Sequence, residues 1–234
     1  MTRDENLTFK GVLIDFGHTL AYIDEMGNKK YHEALLSTTR KFGYRGALKE
    51  LTRALDDFIW NSMKGEFTGM EDFWVQFAKN LDITIKPNLV DCLEKVRSRY
   101  SSVVFQLYDG ALSALAYLQR KYQLALVSNC AIGTSDVIKA LGLPDFFECT
   151  ILSYEVGVRK PHRQMYLEAL RCLGVKPDEC IFVADEISDL EGAKEIGMKT
   201  ILVLQGLNTF HDAKDPDFQP DFKCNSITEI TTFL

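Results

Sequence analysis

The sequence predicts an α/β fold, a doubly wound parallel sheet interrupted early by a helical insertion. Two observations carry this prediction. Five short apolar runs alternate with segments of helical periodicity, the pattern that builds βαβ units. Between the first and second runs, residues 29 to about 100 lose strand-like character and keep only helical spacing.

The first run, GVLID at 11–15, ends on an acid with a glycine close behind, as a buried strand does where it meets a functional loop. The insertion follows. Its apolar faces (Tyr31/Leu35/Phe42, Leu48/Leu51/Leu55/Phe58, Phe73/Phe77/Leu81, Leu89/Leu93/Val96/Tyr100) predict four short helices. Its central loop, KGEFTG at 64–69, either reaches toward a ligand or is a plain surface connection, and Phe73, Trp74 and Phe77 read as packing. Later strands are expected at 123–128, 149–152, 180–184 and 200–204, with helices at 111–121, 135–141, 163–173 and 189–196. Gly142, Gly174 and Gly197 fall just past helices, where a left-handed cap favours glycine. Residues 212–221 read as a solvated loop before a short final element. The expected division is a core of residues 1–20 and 104–234 and a helical unit of residues 21–103.

With 27 basic and 33 acidic side chains, a net charge of −6 disfavours sequence-independent nucleic-acid binding, so a bound anion must be held locally. No CxxC pair suggests zinc or a redox dithiol, and most of Cys92, Cys130, Cys149, Cys172, Cys180 and Cys224 are expected to be buried thiols. The start, MTRDENLTFKG, has no apolar core of a secretion signal, and no apolar run approaches the ~20 residues of a membrane span. A cytoplasmic protein with no membrane or nucleic-acid partner is the expectation. An apolar helix face of the insertion could pack internally or against another copy, so the oligomeric state stays open.

In an open parallel sheet, ligands sit beyond the carboxyl ends of the strands. Each expected strand end bears a chemically useful group: Asp15 through Thr19 after the first, Ser128 and Asn129 after the second, Lys160 after the third, Asp185 through Asp189 after the fourth. Singly these are ordinary turn and cap residues. Together, and in this order, they resemble the four motifs of the haloacid dehalogenase-like superfamily. The first motif matches Asp15-Phe16-Gly17-His18-Thr19-Leu20, the second Ser128-Asn129, the third Lys160-Pro161, and the fourth the acidic stretch from Asp185 to Asp189 with Gly192, Ala193 and Gly197 behind it. The resemblance implies a Rossmann-like core with a helical cap of the first type at residues 21–103.

It also implies a magnesium-dependent hydrolase acting on a small phosphorylated molecule. Asp15 would attack phosphorus, dividing hydrolysis into two easier steps. Asp15, Asp185 and the Gly17 carbonyl would hold Mg²⁺, with Asp189 ligating it or orienting its water. Thr19, Ser128, Asn129 and Lys160 would make up the substrate-binding set: Ser128 and Asn129 would hydrogen-bond the phosphate, Lys160 would neutralise it and keep Asp15 ionised, and Thr19 would stabilise the loop.

One position departs from the pattern. The second Asp of the first motif, the general acid and base of the family's phosphatases, is Gly17 here. Positioned proton transfer contributes ~10²–10⁴ in rate. Three readings remain open: a phosphohydrolase whose substrate has a good leaving group or whose proton comes from His18 or the insertion; a 2-haloacid dehalogenase, against which Asp185, Glu186 and Asp189 stand; or a phosphate- or partner-binding module with little turnover. Phosphonatase chemistry would need an insertion lysine, and nothing singles out Lys29, Lys30, Lys49 or Lys64.

Overall fold

The computed structural model describes residues 9–205 and 217–234. Six parallel strands form one sheet: β1 (Gly11–Ile14), β4 (Gln123–Ser128), β5 (Cys149–Leu152), β6 (Cys180–Ala184), β7 (Lys199–Val203) and β8 (Phe222–Cys224), in the order β5-β4-β1-β6-β7-β8. Counting these strands alone along the chain, the order is 3-2-1-4-5-6, which reverses direction at β1 and leaves a crevice at its carboxyl end. Register carries the strand tips to one level: Ile14 lies beside Leu126 on one side and Val183 on the other.

Both faces of the sheet are covered, and the two-residue period of each strand divides the core accordingly. Val12, Ile14, Leu124, Leu126, Ile181 and Val183 pack under α5 (Ala111–Leu118), α6 (Thr134–Ala140) and a terminal 3₁₀ turn, Ile227–Thr232. Leu13, Ala125, Val127, Phe182 and Ala184 face α8 (Arg163–Leu173) and α9 (Ile187–Glu195) on the other side. A short α7 (Ser153–Val156) follows β5. Gly174 caps α8 at φ +66°.

Four helices, α1 (Glu25–Lys41), α2 (Leu48–Ser62), α3 (Met70–Asn80) and α4 (Leu89–Val104), form the insert with a core of its own built on Leu35, Leu51, Leu55, Phe73, Trp74, Phe77 and Leu93. The expected aromatic stripe is therefore packing: Phe73 meets Trp74 edge-on at 5.0 Å and Phe58 at 5.8 Å. The chain enters and leaves through an antiparallel ribbon, β2 (Ala21–Ile23) against β3 (Phe105–Leu107). Three-residue strands carry too little periodicity to read from sequence: this ribbon was not anticipated, and the short final element expected after residue 221 begins as β8 (Phe222–Cys224), whose strand character was not foreseen.

Other differences from expectation are local. The helix expected at 189–196 starts at Ile187, which places Asp189 in its first turn. Cys149 and Cys172 are joined in a disulfide, contrary to the expectation of buried thiols, while Cys130, Cys180 and Cys224 are buried and free. Spacing tests only local pairs; here the packing of α8 on β5 brings residues 23 apart to a Cα distance of 6.6 Å. The first part of the loop expected at 212–221 lies outside the described residues. Among the described residues, no helix is long and apolar enough to cross a membrane.

Candidate active site

Asp15 follows β1 at the crevice, its backbone N–H still donating to the Val183 carbonyl at 2.9 Å. Its Oδ1 accepts from Phe16 N–H at 2.7 Å and pairs with Lys160 Nζ at 2.7 Å. Both contacts fall on the same oxygen, Oδ1. Lys160 Nζ also pairs with Asp189 Oδ2 at 2.9 Å and lies 5.2 Å over the Phe182 ring. The ammonium is fully buried. Burial alone would lower its pKa, but the two carboxylates outweigh that and hold it above the ordinary lysine value.

The backbone around Lys160 is clamped. Asn129 Oδ1 accepts from Lys160 N–H at 2.7 Å, and Asn129 Nδ2 donates to the Lys160 carbonyl at 3.1 Å. The expectation that Asn129 serves the phosphate is thereby narrowed: its acceptor and one of its two N–H groups are committed. Close packing supplies the rest. A Cβ on Gly192 would lie 2.6 Å from Pro161 Cβ and 2.7 Å from its carbonyl, so only glycine lets α9 approach near enough to set Asp189 against Lys160.

Asp185 Oδ1 accepts from Thr19 Oγ1 at 3.1 Å, and Asp185 N–H donates back to the same hydroxyl at 3.1 Å. Thr19 thus ties the loop after β1 to the loop after β6. Gln205 extends the tie by donating to the Thr19 carbonyl at 2.8 Å and accepting from Ile227 N–H at 2.8 Å. Burial and, next, the charge of Asp15 push the Asp185 carboxyl up to about 7. Burial also raises Asp189, against the pull of Lys160. Two carboxylates, Asp15 and Asp189, therefore share one buried ammonium, while Asp185 stands near enough to Asp15 for their charges to interact, an arrangement with spare negative charge and oxygen donors that suits a hard cation such as Mg²⁺. Among the described residues, no group of three or more His, Cys, Asp or Glu side chains is placed to chelate a metal.

Gly17 is half-buried, and an added Cβ would meet nothing within 4 Å. The missing side chain thus reflects no steric bar. His18 holds the loop in the left-handed region at φ +56°, donating its N–H to the Ala21 carbonyl. Ser128 is buried at the tip of β4. Gly17, His18, Ser128 and Asn129 form the floor of a cavity of about 420 Å³ whose roof is the helical insert.

Four contacts hold that roof down, none anticipated from sequence. Arg97 of α4 donates to the Gly133 carbonyl at 3.1 Å and to Asp136 Oδ2 at 2.7 Å while its guanidinium also engages Glu94. Ile132 N–H donates to Ser62 Oγ at 3.3 Å. The Arg159 guanidinium lies 3.9 Å over the Trp60 ring. Gly65, in the expected central loop, sits against the Tyr154 carbonyl and Gly157, so that loop docks on the core and does not line the cavity. The i,i+3 spacing of Glu94 and Arg97 was the one legible signal among them.

Comparison with known proteins gives the family and the fold. Residues 63–203 match the family model described as haloacid dehalogenase-like hydrolase. The chain is 48% identical over 95 residues to a glyceraldehyde 3-phosphate phosphatase of Pyrococcus furiosus, covering 39% of this chain and 40% of that protein. It is 31% identical over 130 residues to a phosphoglycolate phosphatase of Nitrosococcus oceani, covering 55% and 57%. The matches thus span about half the length of these relatives. A 2-haloacid dehalogenase structure from Pseudomonas syringae shares the fold with a TM-score of 0.73 at 22% identity, covering 96% of this chain and 97% of that one. The chain belongs to the haloacid dehalogenase-like hydrolase family.

Proposed function

We propose that the protein is a magnesium-dependent phosphohydrolase working through an aspartyl-phosphate at Asp15, with residues 21–103 acting as its cap. The observation that supports this reading is a buried ammonium shared by Asp15 and Asp189 with the Asp185 carboxyl close enough to feel the charge of Asp15, which leaves negative charge for a cation to balance. Asp15, Asp185 and the Gly17 carbonyl would hold Mg²⁺. Bound there, it would screen the charge that otherwise keeps a carboxylate and a phosphate apart. The phosphatase relatives support the phosphorylated substrate.

The protein's own groups divide the remaining work. Lys160 pairs with Asp15, orients it and offsets charge on the phosphoryl oxygens. Asp189 fixes the ammonium, and Asn129 fixes the backbone that carries it. Ser128 and the remaining N–H of Asn129 hydrogen-bond the phosphoryl group, and Thr19 keeps Asp185 facing Asp15. The insert excludes water while the first step occurs.

Phosphate esters and 2-haloacids assayed with and without Mg²⁺ separate the readings. Phosphate release that requires Mg²⁺ and disappears in Asp15→Asn is expected. Halide release without metal would replace this reading with a dehalogenase, and neither product would leave a binding module.

A further inference from the structure

The 420 Å³ cavity between the core and the insert has a polar floor and a mainly apolar wall that Asn28, Tyr31, His32, Tyr100 and Ser101 also line. Gly17, Ser128 and Asn129 form the floor; Phe16, Leu55, Ile59, Met63, Phe73 and Ile132 form much of the wall. For scale, a dry cavity of about 150 Å³ admits benzene. The space above the floor therefore takes an aromatic ring with substituents or a fused pair.

Charge on the wall is already spoken for. Arg97 is the sole Arg or Lys among the described lining residues, and Glu94, Asp136 and the Gly133 carbonyl occupy its guanidinium. Asp56 adds a negative charge facing the same space, beside His32. A substrate bearing a carboxylate on its leaving group would bring a second anion to a wall that offers it no uncommitted guanidinium or ammonium. Gly17 adds an independent constraint: with no carboxyl there to protonate the departing oxygen, a leaving group that is stable as an anion is favoured, and phenols, with a pKa of about 10, meet that need far better than alkyl alcohols.

We propose that the substrates are aryl phosphates with an uncharged, apolar leaving group, held in the cavity walled by Phe16, Leu55, Ile59, Met63, Phe73 and Ile132. This inference rests on the phosphohydrolase reading. A carboxylate oxygen of Asp15 forms the new P–O bond as the aryl–O–P bond breaks; the phenolate leaves with the electron pair and takes a proton from water. A water molecule then attacks phosphorus, the bond from phosphorus to the Asp15 oxygen breaks, and inorganic phosphate and a proton are released with the carboxylate restored.

The test compares kcat/KM, in Mg²⁺, for 1-naphthyl, 4-methylphenyl and 4-carboxyphenyl phosphate and for 2-phosphoglycolate. The expected order is naphthyl above methylphenyl, and methylphenyl at least tenfold above carboxyphenyl, although carboxyphenol is the more acidic leaving group and chemistry alone favours the reverse. Fluorescence of Trp74, which lines the cavity, should respond to phenylphosphonate at lower concentration than to phosphonoacetate. Met63→Arg, at a half-buried wall position, should narrow the methylphenyl to carboxyphenyl ratio at least fivefold by supplying a cation. Equal or better use of the carboxylated esters, or tighter binding of phosphonoacetate, overturns the inference and leaves the phosphohydrolase reading intact. Absence of phosphate release from every ester removes that reading and the inference with it.

Discussion

At the scale of single residues, the proposed chemistry is most open to test at two positions. On the proposed reading Gly17 stands where a proton donor would, and an added Cβ there would meet nothing within 4 Å. Gly17→Asp should therefore fold and raise kcat for an alkyl phosphate at least tenfold, within the ~10²–10⁴ that positioned proton transfer contributes. Steady-state phosphate release from glycerol phosphate measures this, and an unchanged rate would show that another group already supplies the proton. Asp185 is the second position. In the metal-free protein its carboxyl is pushed up to about 7, above the unfolded value near 4. Between these values the folded state binds more protons than the unfolded state, so stability is fully present below about pH 4 and is lost as pH rises through 7. The thermal midpoint in EDTA should contain a component that falls from pH 5 to pH 8, absent in Asp185→Asn and reversed by Mg²⁺ at pH 8. Identical pH profiles for the two proteins would contradict this electrostatic picture.

At the scale of elements, the insert is held to the core by polar contacts at its edges. Arg97 joins α4 to the start of α6 with hydrogen bonds to Gly133 and Asp136, and Glu94 also accepts from Trp74 Nε1 at 2.9 Å. Arg97→Met keeps the aliphatic packing and removes the charge, leaving Glu94 half-buried with the indole as its partner. A loss of about 1–3 kcal/mol is expected, together with faster amide exchange at the α4–α6 contact and a raised KM for aryl phosphates. Unaltered exchange there would mean that Arg159 on Trp60 and the Gly65 contact suffice to hold the insert. These elements also show what sequence could reveal. The strands at 123–128, 149–152 and 180–184 and the helix at 163–173 were legible to the residue, because strands buried on both faces and a helix ended by Gly174 leave strong local patterns. The β2–β3 ribbon, the Cys149–Cys172 bond and the Arg97 and Arg159 contacts were not, since each depends on packing between distant segments.

At the scale of the whole molecule, the sheet order places the tips of β1, β4 and β6 side by side and the insert above them. The groups that this brings together, Asp15, Thr19, Ser128, Asn129, Lys160, Asp185 and Asp189, were legible as a set because each follows a strand end, and parallel strands share one carboxyl edge. Their division of labour was less so. Only the structure shows that Asn129 clamps the Lys160 backbone, that Asp189 is drawn to the ammonium, and that both bonds to Asp15 fall on Oδ1. If Asp15 is the nucleophile and Gly17 supplies no base, breakdown of the phospho-enzyme is the slow step. The most direct measurement is rapid acid quenching of wild-type protein turning over an aryl phosphate in Mg²⁺, followed by mass spectrometry of the peptide containing Asp15. The account predicts that phosphate accumulates on Asp15 within the first turnover and that Asp15→Asn neither accumulates it nor releases inorganic phosphate. Full phosphate release by Asp15→Asn, with no phosphorylated peptide in the wild type, would contradict it.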